Sequence, residues 1–196
     1  METKSKTYVW IALAAIVAIA IIAVAFMPGG LVAKFSAAGV KSMSMTPMGT
    51  KAFVDNNNML YLAVSYDTSM LKNSNLVDMK MSMPKDLFAN AMDMNVYMIS
   101  GVSAGDIASL DMMKTMINSG NILKLNNDYT LTSSGNVNIM NINGVTMAKN
   151  VDKLVTVIYV GKIGTNMMGK DPASIANIAK SGMMSAVTYK AAAKTA

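Results

Sequence analysis

Leu76-Val77-Asp78-Met79-Lys80-Met81-Ser82-Met83, broken at once by Pro84-Lys85-Asp86, is the stretch that decides the fold class. As a strand it puts Val77, Met79, Met81 and Met83 on one face and Asp78, Lys80 and Ser82 on the other. Upstream, Lys51 to Asp55, the turn Asn56-Asn57-Asn58 and Met59 to Tyr66 read as a hairpin. Downstream, Met92 to Ile99, Tyr129 to Thr132, Val137 to Ile142, Val145 to Ala148 and Leu154 to Val160 read as further strands. Ser133-Ser134-Gly135 breaks one pair of these. Asn143-Gly144 is the strongest hairpin signal, because both residue types tolerate positive φ.

Two helices interleave with the strands. The first starts near Ser109, with Leu110, Met113 and Ile117 at helical spacing and Gly120 as its closing residue. The second has Asp171 as N-cap, Pro172 at the first helical position and Gly182 at the C-cap, with Ile175, Ile178 and Ala179 as its apolar face. Runs of strands with two helices give an α+β domain around an antiparallel sheet, spanning residues 51–189.

Ahead of that domain, Tyr8 to Met27 (YVWIALAAIVAIAIIAVAFM) carries no charge. A helix of that length matches the roughly 30 Å core of a bilayer. The segment reads as a transmembrane helix or signal anchor, longer than the apolar region of a cleavable signal. Ala23-Val24-Ala25 nonetheless offers a cleavage pattern inside it. Lys4 and Lys6 place residues 1–7 in the cytoplasm by the positive-inside rule, so the domain is expected outside the cell membrane. Pro28-Gly29-Gly30 ends the helix, residues 28–50 read as a tether, and 190–196 as a frayed tail.

Composition removes most chemistry. All 17 basic residues are lysine, Glu2 is the single glutamate, and histidine, cysteine, arginine and glutamine are absent. That leaves no thiol or imidazole nucleophile, no His or thiolate metal site and no disulfide. Without arginine, phosphate and guanine recognition lose their bidentate donor, and the lysines are spread evenly, so no nucleic-acid partner is expected. The net charge of +6 fits instead a weak attraction to anionic lipid or cell-surface polymer. The 22 methionines stand in for scarce aromatics as core filler.

Three local patterns invite chemistry. Met43, Met45 and Met48 fall in the tether at M-x-M and M-x-x-M spacing, and converging thioethers suit Cu(I). The rows Met79, Met81, Met83 and Met92, Met94, Met98 share that spacing, but alternate methionines are what a Met-filled sheet face looks like. Ser69-Met70-Leu71-Lys72 matches an S-x-x-K pair, in which lysine could deprotonate the serine. No S-D-N or K-T-G partner follows it, and the stretch reads as a loop. The ten aspartates form no D-x-D-x-D loop, and Asp55-Asn56-Asn57-Asn58 reads as a turn.

From about Met59 onward the order of pieces resembles the PsbP-like domain family. The likeness rests on VDMKMSMPKDL (Val77–Leu87), SSGNVNIMNINGVTMA (Ser133–Ala148), TVIYVGKIGTNM (Thr156–Met167) and SIANIAKS (Ser174–Ser181). The tryptophan common after the family's Pro-Lys-Asp turn is replaced by Leu87 and Phe88. The resemblance implies an α–β–α sandwich and a scaffolding or binding role, and it transfers no catalytic residue. The expected protein is thus a non-enzymatic, single-pass membrane-anchored domain. It holds the bilayer through residues 8–27 and offers a sheet surface to an extracytoplasmic protein or cell-surface polymer. Cu(I) at Met43, Met45 and Met48 is the one cofactor the sequence suggests, and a Ser69–Lys72 hydrolase is the rival class.

Overall fold

The computed structural model describes residues 40–69, 74–119, 122–125, 129–145 and 154–191. The apolar segment 8–27, the first part of the tether and residues 192–196 lie outside them. Among the described residues no helix is long and apolar enough to cross a membrane.

The described residues form ten strands and two α-helices. The strands are β1 (Val40–Met45), β2 (Gly49–Val54), β3 (Met59–Asp67), β4 (Ser74–Pro84), β5 (Asn95–Ser100), β6 (Leu123–Lys124), β7 (Tyr129–Ser134), β8 (Val137–Val145), β9 (Leu154–Lys162) and β10 (Met184–Ala191). Helix α1 covers Leu110–Asn118 and α2 covers Pro172–Gly182. One sheet has the order β1-β10-β4-β8-β7 and the other β2-β3-β9-β5-β6. The architecture is α+β with two antiparallel sheets.

This corrects the expectation of one sheet flanked by helices. The extra strands come from segments whose local pattern is weak. Val40–Met45 lies in the stretch read as a tether, and Met184–Ala191 runs into the stretch read as a tail. Small residues and lysines dilute their apolar signal, and it is pairing with other strands that fixes them as β structure.

Side chains from both sheets and from α2 meet in the main core. Leu60, Leu62, Val64 and Tyr66 of β3 and Val155, Val157 and Tyr159 of β9 come from one sheet. Met81, Met83 and Met140 come from the other, and Ile175, Ala176 and Ala179 from α2. Eight of the main-core residues are methionines, against three aromatics, so the thioethers do fill the space that rings would otherwise take. Full burial of one such side chain is worth about 1.5–3 kcal/mol. The alternation read in Leu76–Met83 holds in part where its side chains are described: Met81 and Met83 are fully buried and Lys80 is half-exposed, but Ser82 on the opposite face is buried as well.

Asn143-Gly144 does not turn the chain. It lies inside β8, where the pairing with β4 slips between Val77↔Val145 and Met79↔Ile142. Two residues stand there against one, so the pair forms a β-bulge. The hairpin is made one strand earlier, at Gly135-Asn136, with Gly135 at φ 56° and Ser134 facing Val137. The Pro84-Lys85-Asp86 break is as expected, and two glycines hold it. A side chain on Gly164 would overlap the carbonyl oxygen of Asp86, and one on Gly182 would overlap the Pro84 ring. Gly182 is therefore the last helical residue of α2, there for close packing, and Met183 takes the cap position.

Candidate binding surface

The second sheet has a second apolar face, and α1 lies on it. Met113 of α1 is fully buried against Ala63, Ile107, Ile158 and Val160. Ser109 caps the helix by accepting from the Met112 N–H at 3.1 Å. The approach to α1 is pinned from below by buried hydroxyls. Thr156 Oγ1 donates to the Val102 carbonyl, Ser65 Oγ lies 2.7 Å from Thr156 Oγ1, and the Ala104 N–H donates to Ser65 Oγ at 2.6 Å. Because Thr156 spends its proton on Val102, Ser65 is the donor of the hydroxyl pair.

Around the margin of α1 the same sheet face carries three half-buried rings. Register puts Phe53, Tyr61, Val160 and Asn95 in one rung, and Lys51, Ala63, Ile158, Tyr97 and Lys124 in the next. Each ring has a lysine over it. Lys51 Nζ is 5.8 Å from the Phe53 centroid, Lys114 Nζ of α1 is 5.2 Å from that of Tyr61, and Lys124 Nζ is 6.0 Å from that of Tyr97. All three lie within cation–π range. Burial raises the Tyr97 phenol above its usual range, and the neighbouring Tyr61 adds to the shift. Tyr97 therefore stays neutral across the physiological range.

Of the three lysines, Lys114 has a carboxylate. It lies 3.6 Å from Asp55 Oδ2, while Asp55 Oδ1 accepts from the Asn57 and Met59 N–H groups at 2.9 Å each. Burial alone would raise the Asp55 pKa; the two backbone donors and Lys114 outweigh it and hold the carboxyl below its ordinary value. Lys51 and Lys124 have no carboxylate within ion-pair distance among the described residues. The surface thus offers flat apolar rings beside uncompensated ammonium groups. That suits an acidic partner with hydrophobic faces, and it needs no ionisable triad.

The residues singled out in the sequence are placed elsewhere. Met43 and Met45 belong to β1, not to a free tether. Met45 is buried in the main core at 6% exposure, whereas Met48, in the loop before β2, is 58% exposed. The Met43 side chain lies outside the described residues. The fold thus sends the Met45 and Met48 side chains into different environments. Met81, Met83, Met94 and Met98 are all core residues, and Met92 is exposed. Ser69 donates its backbone N–H to Asp67 Oδ1 at 2.8 Å; Lys72 lies outside the described residues. Among the described residues no group of acidic side chains could hold a metal ion.

The lysine–aromatic face escaped the sequence reading because its members are scattered over β2, β3, β5, β6 and α1. Only register brings them together. A usable signal was the i, i+2 pair Lys51 and Phe53, which alternation places on one face.

No family model matches the chain, and no curated protein matches it. Among solved structures the chain is similar to the Streptococcus suis adhesion protein Fhb. The two are 10% identical with a TM-score of 0.31, over 79% of this chain and 99% of that one. A likeness that distant carries no argument about fold or function.

Proposed function

We propose that this chain is a non-catalytic binding module that holds an acidic cell-surface polymer on the outer face of the β2-β3-β9-β5-β6 sheet. The observation that carries the reading is the set of three lysine–ring pairs on one sheet face, two of whose lysines have no carboxylate partner among the described residues. Sugar rings present flat C–H faces that stack on aromatic side chains, and carboxylated sugars add charge for the ammonium groups. Lysine serves a spread of carboxylates as a point charge and does not require the planar fork that arginine supplies. The lack of histidine, cysteine and arginine supports binding over catalysis. The apolar run Tyr8–Met27 supports an anchor that presents this face outside the membrane.

The test is affinity electrophoresis of the full chain in detergent, through gels containing polygalacturonate or neutral dextran. Retardation by the uronate polymer alone is expected. Equal mobility in the two gels would end the reading.

A further inference from the structure

We infer that two copies of this chain join through β7, edge to edge, to make one continuous sheet. Four strands end the two sheets: β1, β7, β2 and β6. Lysine on an edge strand is a common device against unwanted pairing, because a charge must be desolvated or opposed by its copy. Three of the four edges carry one: Lys41 on β1, Lys51 on β2 and Lys124 on β6. The β2 edge is further engaged by α2, through Thr50 Oγ1 donating to the Ala176 carbonyl at 2.9 Å. Strand β7, Tyr-Thr-Leu-Thr-Ser-Ser, has no charge and no proline. Its pairing with β8 runs without a bulge from Tyr129↔Ile142 to Ser134↔Val137.

The register defines what this edge, unpaired among the described residues, offers. In a two-residue hairpin the closing pair, here Ser134 and Val137, is hydrogen-bonded, and bonded pairs alternate from there. Thr132 and Thr130 therefore bond to β8. Tyr129, Leu131 and Ser133 turn their N–H and C=O groups outward. Leu131 packs its side chain on the main core, while Thr130 and Thr132 are exposed. A second β7 laid antiparallel about a two-fold axis at Leu131 satisfies those outward groups with on the order of six backbone hydrogen bonds. It also sets Thr130 opposite Thr132 of the other copy, a favourable β-branched pair.

Charge chooses the occupant. Each copy carries +6, so association must avoid facing lysine with lysine, and β7 is the edge strand that does so. An acidic foreign strand would find no cation on β7 to recognise. The contact is small beside the ~1,600 Å² of a standard interface, so the dimer forms at raised local concentration.

The chain has no natural cysteine, so disulfide trapping reports the pairing cleanly. Across the two-fold, Thr130 and Thr132 form a non-hydrogen-bonded pair with Cα atoms about 4.5 Å apart, within disulfide reach. Full-length Thr130→Cys and Thr132→Cys chains are purified separately in detergent, mixed in equal amounts and mildly oxidised. A covalent heterodimer is expected from the mixture and little from either variant alone. Ser133→Pro removes an outward N–H and keeps the backbone bonds to β8, though it gives up the bond that Ser133 Oγ donates to Asn138 Oδ1 at 2.7 Å. Built into both chains it should abolish the cross-link, whereas Ser133→Ala, which loses the side-chain bond alone, should not. Circular dichroism checks that these variants fold. Failure of the folded mixture to cross-link overturns the inference. So does equal cross-linking by the single variants, or a cross-link that survives Ser133→Pro. The polymer-binding reading is unaffected by any of these results, since it concerns the other sheet.

Discussion

The ammonium group of Lys114 sits 5.2 Å from the Tyr61 ring centroid and 3.6 Å from the Asp55 carboxylate, tying α1 to the β2–β3 hairpin. Asp55 also closes that hairpin by accepting from Asn57 and Met59, and Asn58 takes φ 57° there. One lysine thus fixes the helix, the turn and a ring of the proposed binding face together.

The pH dependence of this contact has a definite sign. The folded carboxyl of Asp55 is held below its unfolded value, so it contributes stability above about pH 3.9 that is lost as pH falls through the folded pKa. Lys114→Met removes one of the groups that hold it down. In urea unfolding the variant should be less stable than wild type at neutral pH. That gap should narrow as the solution is acidified and the carboxylate is protonated, leaving the part due to the Tyr61 ring. A gap that stayed constant down to the lowest pH would show that packing, not charge, sets the effect.

Gly164 and Gly182 let the chain cross itself at the Pro84-Lys85-Asp86 turn. Gly164→Ala forces a methyl group onto the Asp86 carbonyl, where only backbone movement relieves the overlap. Gly182→Ala meets the Pro84 ring, against the usual gain of alanine over glycine in a helix. Overpacking of this kind costs about 1–3 kcal/mol. Denaturant midpoints should fall for both variants, more for Gly164→Ala. Gly169→Ala serves as a reference for strain at positive φ, since its φ is 77° with open space around it.

Among the described residues Ser185 Oγ is a buried hydroxyl without a hydrogen-bond partner. The Tyr66 hydroxyl makes no hydrogen bond of good geometry but interacts with the Tyr159 hydroxyl, which in turn donates to Met81 Sδ at 3.1 Å. Removing an unsatisfied buried hydroxyl relieves a desolvation cost of about 1–3 kcal/mol. Ser185→Ala should therefore be neutral or stabilising in thermal melts, and Tyr159→Phe, which loses the bond to Met81, destabilising. Burial raises both phenols, with Tyr66 adding to the shift at Tyr159. The unfolded chain ionises near pH 10, before the folded one does, so stability is lost above that pH. The Tyr66→Phe, Tyr159→Phe double variant should lose less there than wild type.

Much of this fold was legible from residues that act locally. Ser109 and Asp171 cap their helices by accepting from Met112 and Ser174, as their side chains predict. The Asp55–Asn58 turn and the Pro84 break lie where Asp, Asn and Pro put them. Legibility ended where tertiary contact decides. Asn143-Gly144 has the turn residues of a hairpin, yet pairing with β4 keeps β8 running through it as a bulge. Met43 and Met45 look like part of a soft-ligand cluster, yet a sheet edge takes them into β1. The candidate surface was hidden for the same reason, since Lys114 and Tyr61 are far apart in the chain and meet only after α1 docks.

The most direct test of the proposed function is titration of polygalacturonate against full-length protein and the Lys51→Met, Lys124→Met double variant. These two lysines project from a half-buried and an exposed position and make no ion pair among the described residues, so their loss should leave the fold intact. The variant should bind roughly tenfold more weakly, a loss of about 1.4 kcal/mol. Wild-type affinity should fall as salt rises, and the variant's should fall less steeply. Equal affinities and equal salt dependence for the two proteins would contradict the proposed function.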